Sequence, residues 1–254
     1  MRTLYFKATG DDVRRWEFFL RGLYPELNII ADGSFDSRTL DATKKFQRDC
    51  GLTVDGVVGP KTVSKALEQG YDIMTDDRTD EDGPNWPPQT LPPLTFGDKQ
   101  KLFGSFSYKP SPSSGNPEGI EISGTWVKDN IVSVKVPELQ GRIVSINKKI
   151  VTQFLHVFAG WDSAGLIDRV LTFDGAFAPR FVRGSRMYLS NHSLGTAFDI
   201  NAQWNGLGIV PALKGQRGSV RELVHIANEC GFAWGGHFKD RSDGMHFEAA
   251  KIIA

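Results

Sequence analysis

Two short stretches of this 254-residue sequence concentrate side chains that bind metal ions and move protons. Ser190-Asn191-His192-Ser193-Leu194-Gly195-Thr196-Ala197-Phe198-Asp199-Ile200-Asn201 carries one histidine and one aspartate. Asp243-Gly244-Met245-His246-Phe247-Glu248 carries a histidine between two acids. A catalytic zinc ion takes three protein ligands of these types and keeps a further position for water. His192, Asp199 and His246 can form that set, which leaves Asp243 to carry protons. The seven-residue step from His192 to Asp199 does not suit one face of a helix. It suits a chain that turns at Gly195 and returns as a strand from Thr196 to Ile200. Met245-His246-Phe247-Glu248 alternates as a strand does, so His246 and Glu248 share a face. Spacing alone leaves a blander reading open, because histidines also sit on surfaces and in satisfied cores.

The elements that must hold these residues are legible upstream. Ile120, Ile122 and Trp126 lead into the β-branched, alternating run Ile131-Val132-Ser133-Val134-Lys135-Val136-Pro137, a strand. Gly141 is expected to open a helix carrying Ile143, Ile146, Ile150, Val151, Phe154, Leu155 and Phe158 at helical spacing, ending by Gly160-Trp161. Ile167 to Phe173 reads as a further strand, and Ser219 as the cap of a helix carrying Val220, Leu223, Val224, Ile226 and Ala227 that stops at Gly231. His156 and His225 fall on these two helices and are read as structural. Strands feeding helices in this way imply an α+β domain built on a central antiparallel sheet.

The first part of the chain has a different grammar. Asp11 or Asp12 can cap a helix carrying Val13, Trp16, Phe19, Leu20 and Leu23. Ala31-Asp32-Gly33-Ser34-Phe35-Asp36-Ser37-Arg38-Thr39-Leu40 returns 23 residues later as Val54-Asp55-Gly56-Val57-Val58-Gly59-Pro60-Lys61-Thr62-Val63. Each copy is an Asp-Gly turn followed by a helix start, and Pro60 suits a first helical position. With the helix between the copies, this predicts a small all-α three-helix bundle over 1–71. A Pro-rich, acidic linker is expected over 72–93. The second domain then covers 94–254 and begins with an extended arm rich in Leu and Phe.

Composition narrows the classes. Lys plus Arg and Asp plus Glu number 30 each, a balance that argues against nucleic-acid or membrane-surface binding. No apolar run approaches the length of a membrane span, and Met1-Arg2-Thr3-Leu4-Tyr5-Phe6-Lys7 lacks the pattern of a signal peptide. The expectation is a soluble monomer made in the cytoplasm. Cys50 and Cys230 fall in different expected domains, so buried free thiols are expected, not a disulfide framework.

The motifs also carry a resemblance. Ser190-x-His192-x-x-Gly195-x-Ala197-x-Asp199, then Trp234-Gly235-Gly236, then Asp243-x-x-His246-Phe247-Glu248 is similar to the zinc D-alanyl-D-alanine carboxypeptidase and L-alanyl-D-glutamate endopeptidase family, whose core is shared with the hedgehog signalling domain. The similar stretch runs from Asp174 to Lys251. Asp32-Gly33-x-Phe35-Asp36-x-x-Thr39, Lys45-Phe46-Gln47 and Leu52-Thr53-Val54-Asp55-Gly56-x-Val58-Gly59-Pro60-x-Thr62 resemble the peptidoglycan-binding domain found on wall hydrolases. The resemblance implies Zn2+ on His192, Asp199 and His246, with Asp243 as the proton-transferring acid. An arginine upstream of the zinc histidine, Arg183 in preference to Arg180, would stabilise the oxyanion. His237 would border the cleft, and Ser190 and Glu248 would orient ligands.

The implied activity is hydrolysis of peptide bonds in bacterial peptidoglycan, between L-alanine and D-glutamate, by an endolysin that reaches the wall after release. Trimming of a terminal D-alanine, a secreted wall-targeting effector and a non-catalytic wall-binding protein are the alternatives.

Overall fold

The computed structural model describes residues 2–69, 71, 86–239 and 241–253. Of the expected linker, 72–85 lie outside the described residues. Two units emerge. Met1–Pro88 groups with Gln203–Asn205 and Pro211–Arg221, and Gln89–Ala202 groups with Gly206–Val210 and Glu222–Ala254.

The first unit is helical. Helix α1 (Asp11–Leu23) buries Val13, Trp16, Phe19 and Leu20, an apolar stripe at helical spacing. Its N-cap is Gly10, and Asp11 and Asp12 lie in the first turn, where their charge complements the helix dipole. Helix α2 (Ser37–Asp49) is capped by Asp36, whose side chain accepts from the Thr39 amide, and α3 (Pro60–Glu68) opens on its proline. Trp16, Phe19, Phe46 and Tyr71 meet in the core with ring centroids 5.2 to 5.5 Å apart.

The sequence repeat is also a structural one. Asp32 Oδ1 accepts from Ser34 N and Asp55 Oδ1 from Val57 N, each at 2.8 Å. A buried side chain holds the glycine amide of each turn: Glu17 accepts from Gly33 N, and Gln47 Oε1 accepts from Gly56 N. Burial pushes the Glu17 carboxyl up to about 7, against the hydrogen bonds it receives from Gly33 and Thr39.

The second unit is α+β. Helix α4 (Phe96–Phe103) precedes β1 (Tyr108–Pro110) and β2 (Ile120–Ile122), which pair antiparallel. After α5 (Trp126–Asn130), β3 (Ile131–Val136) pairs antiparallel with β4 (Arg142–Asn147). Helix α6 (Val151–Ser163) follows, then β5 (Phe173–Gly175), β6 (Ala197–Ile200), α7 (Val224–Glu229), β7 (Phe232–Trp234) and β8 (His246–Ala249). The last four strands form an antiparallel sheet in the order β5-β6-β8-β7. Phe154, Phe158 and Trp161 of α6 pack on its apolar face, where Phe198 and Phe247 stack at 5.4 Å.

Three expected elements differ. The helix expected from Gly141 begins only at Val151, and residues 142–147 are strand β4. Gln140 and Gly141 both take positive φ, 56° and 74°, and reverse the chain into a hairpin. Within β4, Val144 and Ile146 are buried while Ile143 stays 70% exposed, so the operative period is two, not the helical spacing of Ile143 and Ile146. The strand expected from Ile167 begins only at Phe173. Asn201 intervenes: its Oδ1 accepts from Leu171 N and Thr172 N and its Nδ2 donates to Arg169 O, replacing a ladder with one side chain. The helix expected from Ser219 is α-helical only from Val224, after a 3-10 turn over Arg221–Leu223. Cys50 and Cys230 are free thiols, but half-buried, not buried. No described helix is long and apolar enough to cross a membrane.

Candidate metal centre

Strand pairing brings the first two candidate ligands together. Asp199 on β6 lies directly opposite His246 on β8, and side chains opposite one another in an antiparallel pair project from the same face. Their neighbours Phe198 and Phe247 project into the core from the other face, so alternation separates chemistry from packing along the same two strands.

His192 arrives from the 3-10 turn Asn191–Leu194. The chain reverses at Gly195, with φ 64°, and a Cβ there would stand 2.7 Å from Ile131 Cδ1 and 2.9 Å from Asn147 N. Only glycine combines that backbone with that approach. Asn147, at the end of β4, secures the turn: its side chain donates to Leu194 O and its amide to Gly195 O.

The three side chains converge. His192 Nε2 lies 3.2 Å from Asp199 Oδ1 and 3.2 Å from His246 Nδ1, and His246 Nδ1 lies 3.0 Å from Asp199 Oδ1. All three residues are buried. The outward ring nitrogens determine what the inward ones offer. His192 Nδ1 stands 2.6 Å from the Ala176 carbonyl oxygen, which can only accept, so the proton belongs on Nδ1. His246 Nε2 stands 3.1 Å from Glu248 Oε2 and donates to that carboxylate. Both inward nitrogens therefore present lone pairs, and with Asp199 three acceptors face one another with no donor between them. That arrangement fits a cation, and two imidazoles with one carboxylate form a donor set suited to zinc.

The electrostatics agree. Burial opposes ionisation of Asp199, yet the two imidazoles beside it hold its carboxyl far below the ordinary range. Burial likewise opposes positive charge at His246, but the carboxylates of Asp199 and Glu248 outweigh it and favour positive charge there. The pocket is built to hold positive charge.

Asp243 lies in the turn before β8. Its amide donates to Gly235 O and its carbonyl accepts from His246 N. A Cβ on Gly235 would stand 2.5 Å from Asp243 O, which accounts for the glycine after Trp234. Burial pushes the Asp243 carboxyl up, and Asp199 adds to the effect while His246 opposes it. Its Oδ1 is buried without a hydrogen-bond partner among the described residues, an uncommon state for a structural carboxylate.

A cleft of about 790 Å³ opens over this cluster, lined in part by Asp243, His246, His237, Arg180, Lys239 and Arg241. Arg180 is desolvated there, which lowers its pKa, while the charges of Asp199 and Asp243 act in the opposite direction. Arg183 also borders the cleft, but its guanidinium reaches Glu118 at 3.7 Å and is half exposed. His237 packs its ring against Trp234 at 5.0 Å. His156 and His225 are exposed on α6 and α7.

Comparison with protein families covers both parts of the chain. Residues 183–249 match a family described as D-alanyl-D-alanine carboxypeptidase. Residues 9–65 match one described as a peptidoglycan binding domain. The chain joins a segment similar to peptidoglycan-binding domains to a segment similar to D-alanyl-D-alanine carboxypeptidases. These matches support peptidoglycan peptidase activity, and the buried His-Asp-His group could bind a metal ion. No curated protein matches the chain. The carboxypeptidase-like match contains His192, Asp199, Asp243 and His246, but not Arg180 or any residue of α4.

Proposed function

We propose that the chain hydrolyses peptide bonds in peptidoglycan stem peptides at a zinc centre formed by His192, Asp199 and His246. The convergence of three mutually facing acceptors in a buried site carries this reading. A zinc ion held there supplies Lewis acidity to a peptide hydrolysis.

The chain's own groups do the rest. Ala176 O and Glu248 fix the two imidazoles so that their lone pairs point inward. Asp243, with an unpartnered oxygen and a carboxyl raised by burial, takes a proton from the attacking water and returns it to the departing amine. Arg180 supplies positive charge to the oxyanion, because it is desolvated in the cleft and interacts with Asp199 and Asp243, whereas Arg183 is engaged with Glu118.

The bond cut is the one between L-alanine and D-glutamate. Lys239 and Arg241 line the cleft, and glutamate in the stem brings a free carboxylate beside that bond. Cleavage there releases the stem from the glycan, as an endolysin that reaches the wall after release must do. The description of the matched family favours a second reading, removal of the terminal D-alanine.

Mass spectrometry of muropeptides from purified sacculi treated with zinc-loaded protein, with a chelated control, separates the two. Released stems lacking L-alanine are expected. Loss of one D-alanine selects the second reading, and unchanged muropeptides overturn both.

A further inference from the structure

Lys99 lies outside the segment that matches the peptidase family. Its ammonium nonetheless stands 3.1 Å from Glu248 Oε1, with side chains only 14% and 3% exposed. The other Glu248 oxygen accepts from His246 Nε2 at 3.1 Å and from Asn191 Nδ2. Helix α4 is held at both ends to deliver this contact. Thr95 Oγ1 accepts from Asp98 N at its start, and Lys149 Nζ donates to Leu102 O at its end, next to the buried Phe103. A buried ion pair is weak evidence for stability, since desolvation offsets its attraction, so stability alone does not account for an ammonium placed here.

We propose that Lys99 is a positioning residue for the metal centre, acting on His246 through Glu248. With Oε1 tied to Lys99 and Oε2 shared between His246 and Asn191, the carboxylate cannot turn away from the imidazole. His246 Nε2 then always has its acceptor, and Nδ1 remains directed at Asp199 and His192. Groups at this remove from a metal set ligand orientation, and their loss typically weakens metal binding about 10- to 100-fold. The proposal rests on the metal-binding reading above.

The test is zinc affinity of the full chain by competition with a chromophoric chelator, together with the visible spectrum of the cobalt-substituted protein. Lys99→Met should bind zinc at least about tenfold more weakly and show a shifted cobalt spectrum. Lys99→Arg, which keeps a cationic donor, should recover most of the affinity. Because Lys99 acts through Glu248, Lys99→Met combined with Glu248→Gln should bind no more weakly than Glu248→Gln alone. Should Lys99→Met unfold by circular dichroism, Lys99→Gln is read in its place. Unchanged affinity and spectrum in the Lys99 variant, or losses that simply add in the double variant, overturn the proposal while leaving the metal centre intact. Wild-type protein that binds no zinc overturns the metal centre, and the proposal with it.

Discussion

One buried carboxylate oxygen of Asp243 has no hydrogen-bond partner among the described residues, an uncommon state for a carboxylate that only holds the fold. Asp243→Ala is expected to fold and to bind zinc as the wild type does, yet lose at least about a hundredfold in turnover of sacculi, the usual scale of general acid–base help. Retained turnover would remove Asp243 from the mechanism. The two arginines divide the same way. Arg180→Met should lower kcat with little effect on KM, as expected for charge that acts in the transition state. Arg183→Met should leave kcat within about twofold, in line with the modest worth of a partly exposed ion pair such as Arg183–Glu118. Equal losses in both variants would show that the cleft cations act collectively.

At the scale of elements, the site depends on a reversal between a 3-10 turn and a strand. Gly195→Ala forces a Cβ into Ile131 and the Asn147 backbone at positive φ. A loss of about 1–3 kcal/mol in denaturant stability is expected, along with weaker zinc binding, because His192 moves with the turn. Normal stability and affinity in this variant would mean that the turn adapts at no cost. The turn at Gly195 and the strand to Ile200 were legible in the sequence, because a glycine followed by apolar alternation has few other readings. Strand β4 was not, because Ile143 and Ile146 imitate a helical interval and only the Gln140-Gly141 reversal selects the other period. The late start of β5 was hidden for a related reason. Asn201 satisfies backbone groups about thirty positions away, and no local pattern announces that.

At the scale of the whole molecule, the first unit carries a buried titratable group, Glu17. Glu17 has a folded pKa of about 7 against an ordinary 4.5. Its contribution to stability is therefore fully present below about 4.5 and is lost as pH rises through 7, a change of order 3 kcal/mol. Hydrogen-exchange protection of α1 amides in the full chain, corrected for intrinsic exchange, should fall across that window, and Glu17→Gln should flatten the profile. A profile equally steep in Glu17→Gln would assign the effect to another group. Since residues 9–65 match a peptidoglycan-binding family, the Asp243→Ala variant of the whole 254-residue chain should also co-sediment with sacculi without degrading them. If it stays in the supernatant, the first unit has some role other than wall attachment.

The sequence by itself determined the local chemistry: which side chains could form a metal set, where Asp-Gly turns recur, and which faces of β6 and β8 are apolar. The turns and the faces follow from residue type and short spacing, which a linear pattern displays, while the choice of His192, Asp199 and His246 also rested on the resemblance of the motifs to a zinc peptidase family. Tertiary structure alone decided which oxygens hold the outward nitrogens of the two imidazoles, that Arg180 is the desolvated arginine beside the acids, and that Lys99 reaches Glu248. Those contacts join residues up to about 150 positions apart. They depend on how α4, the β3–β4 hairpin and the four-stranded sheet pack, and no periodicity in the chain encodes a distance of that kind.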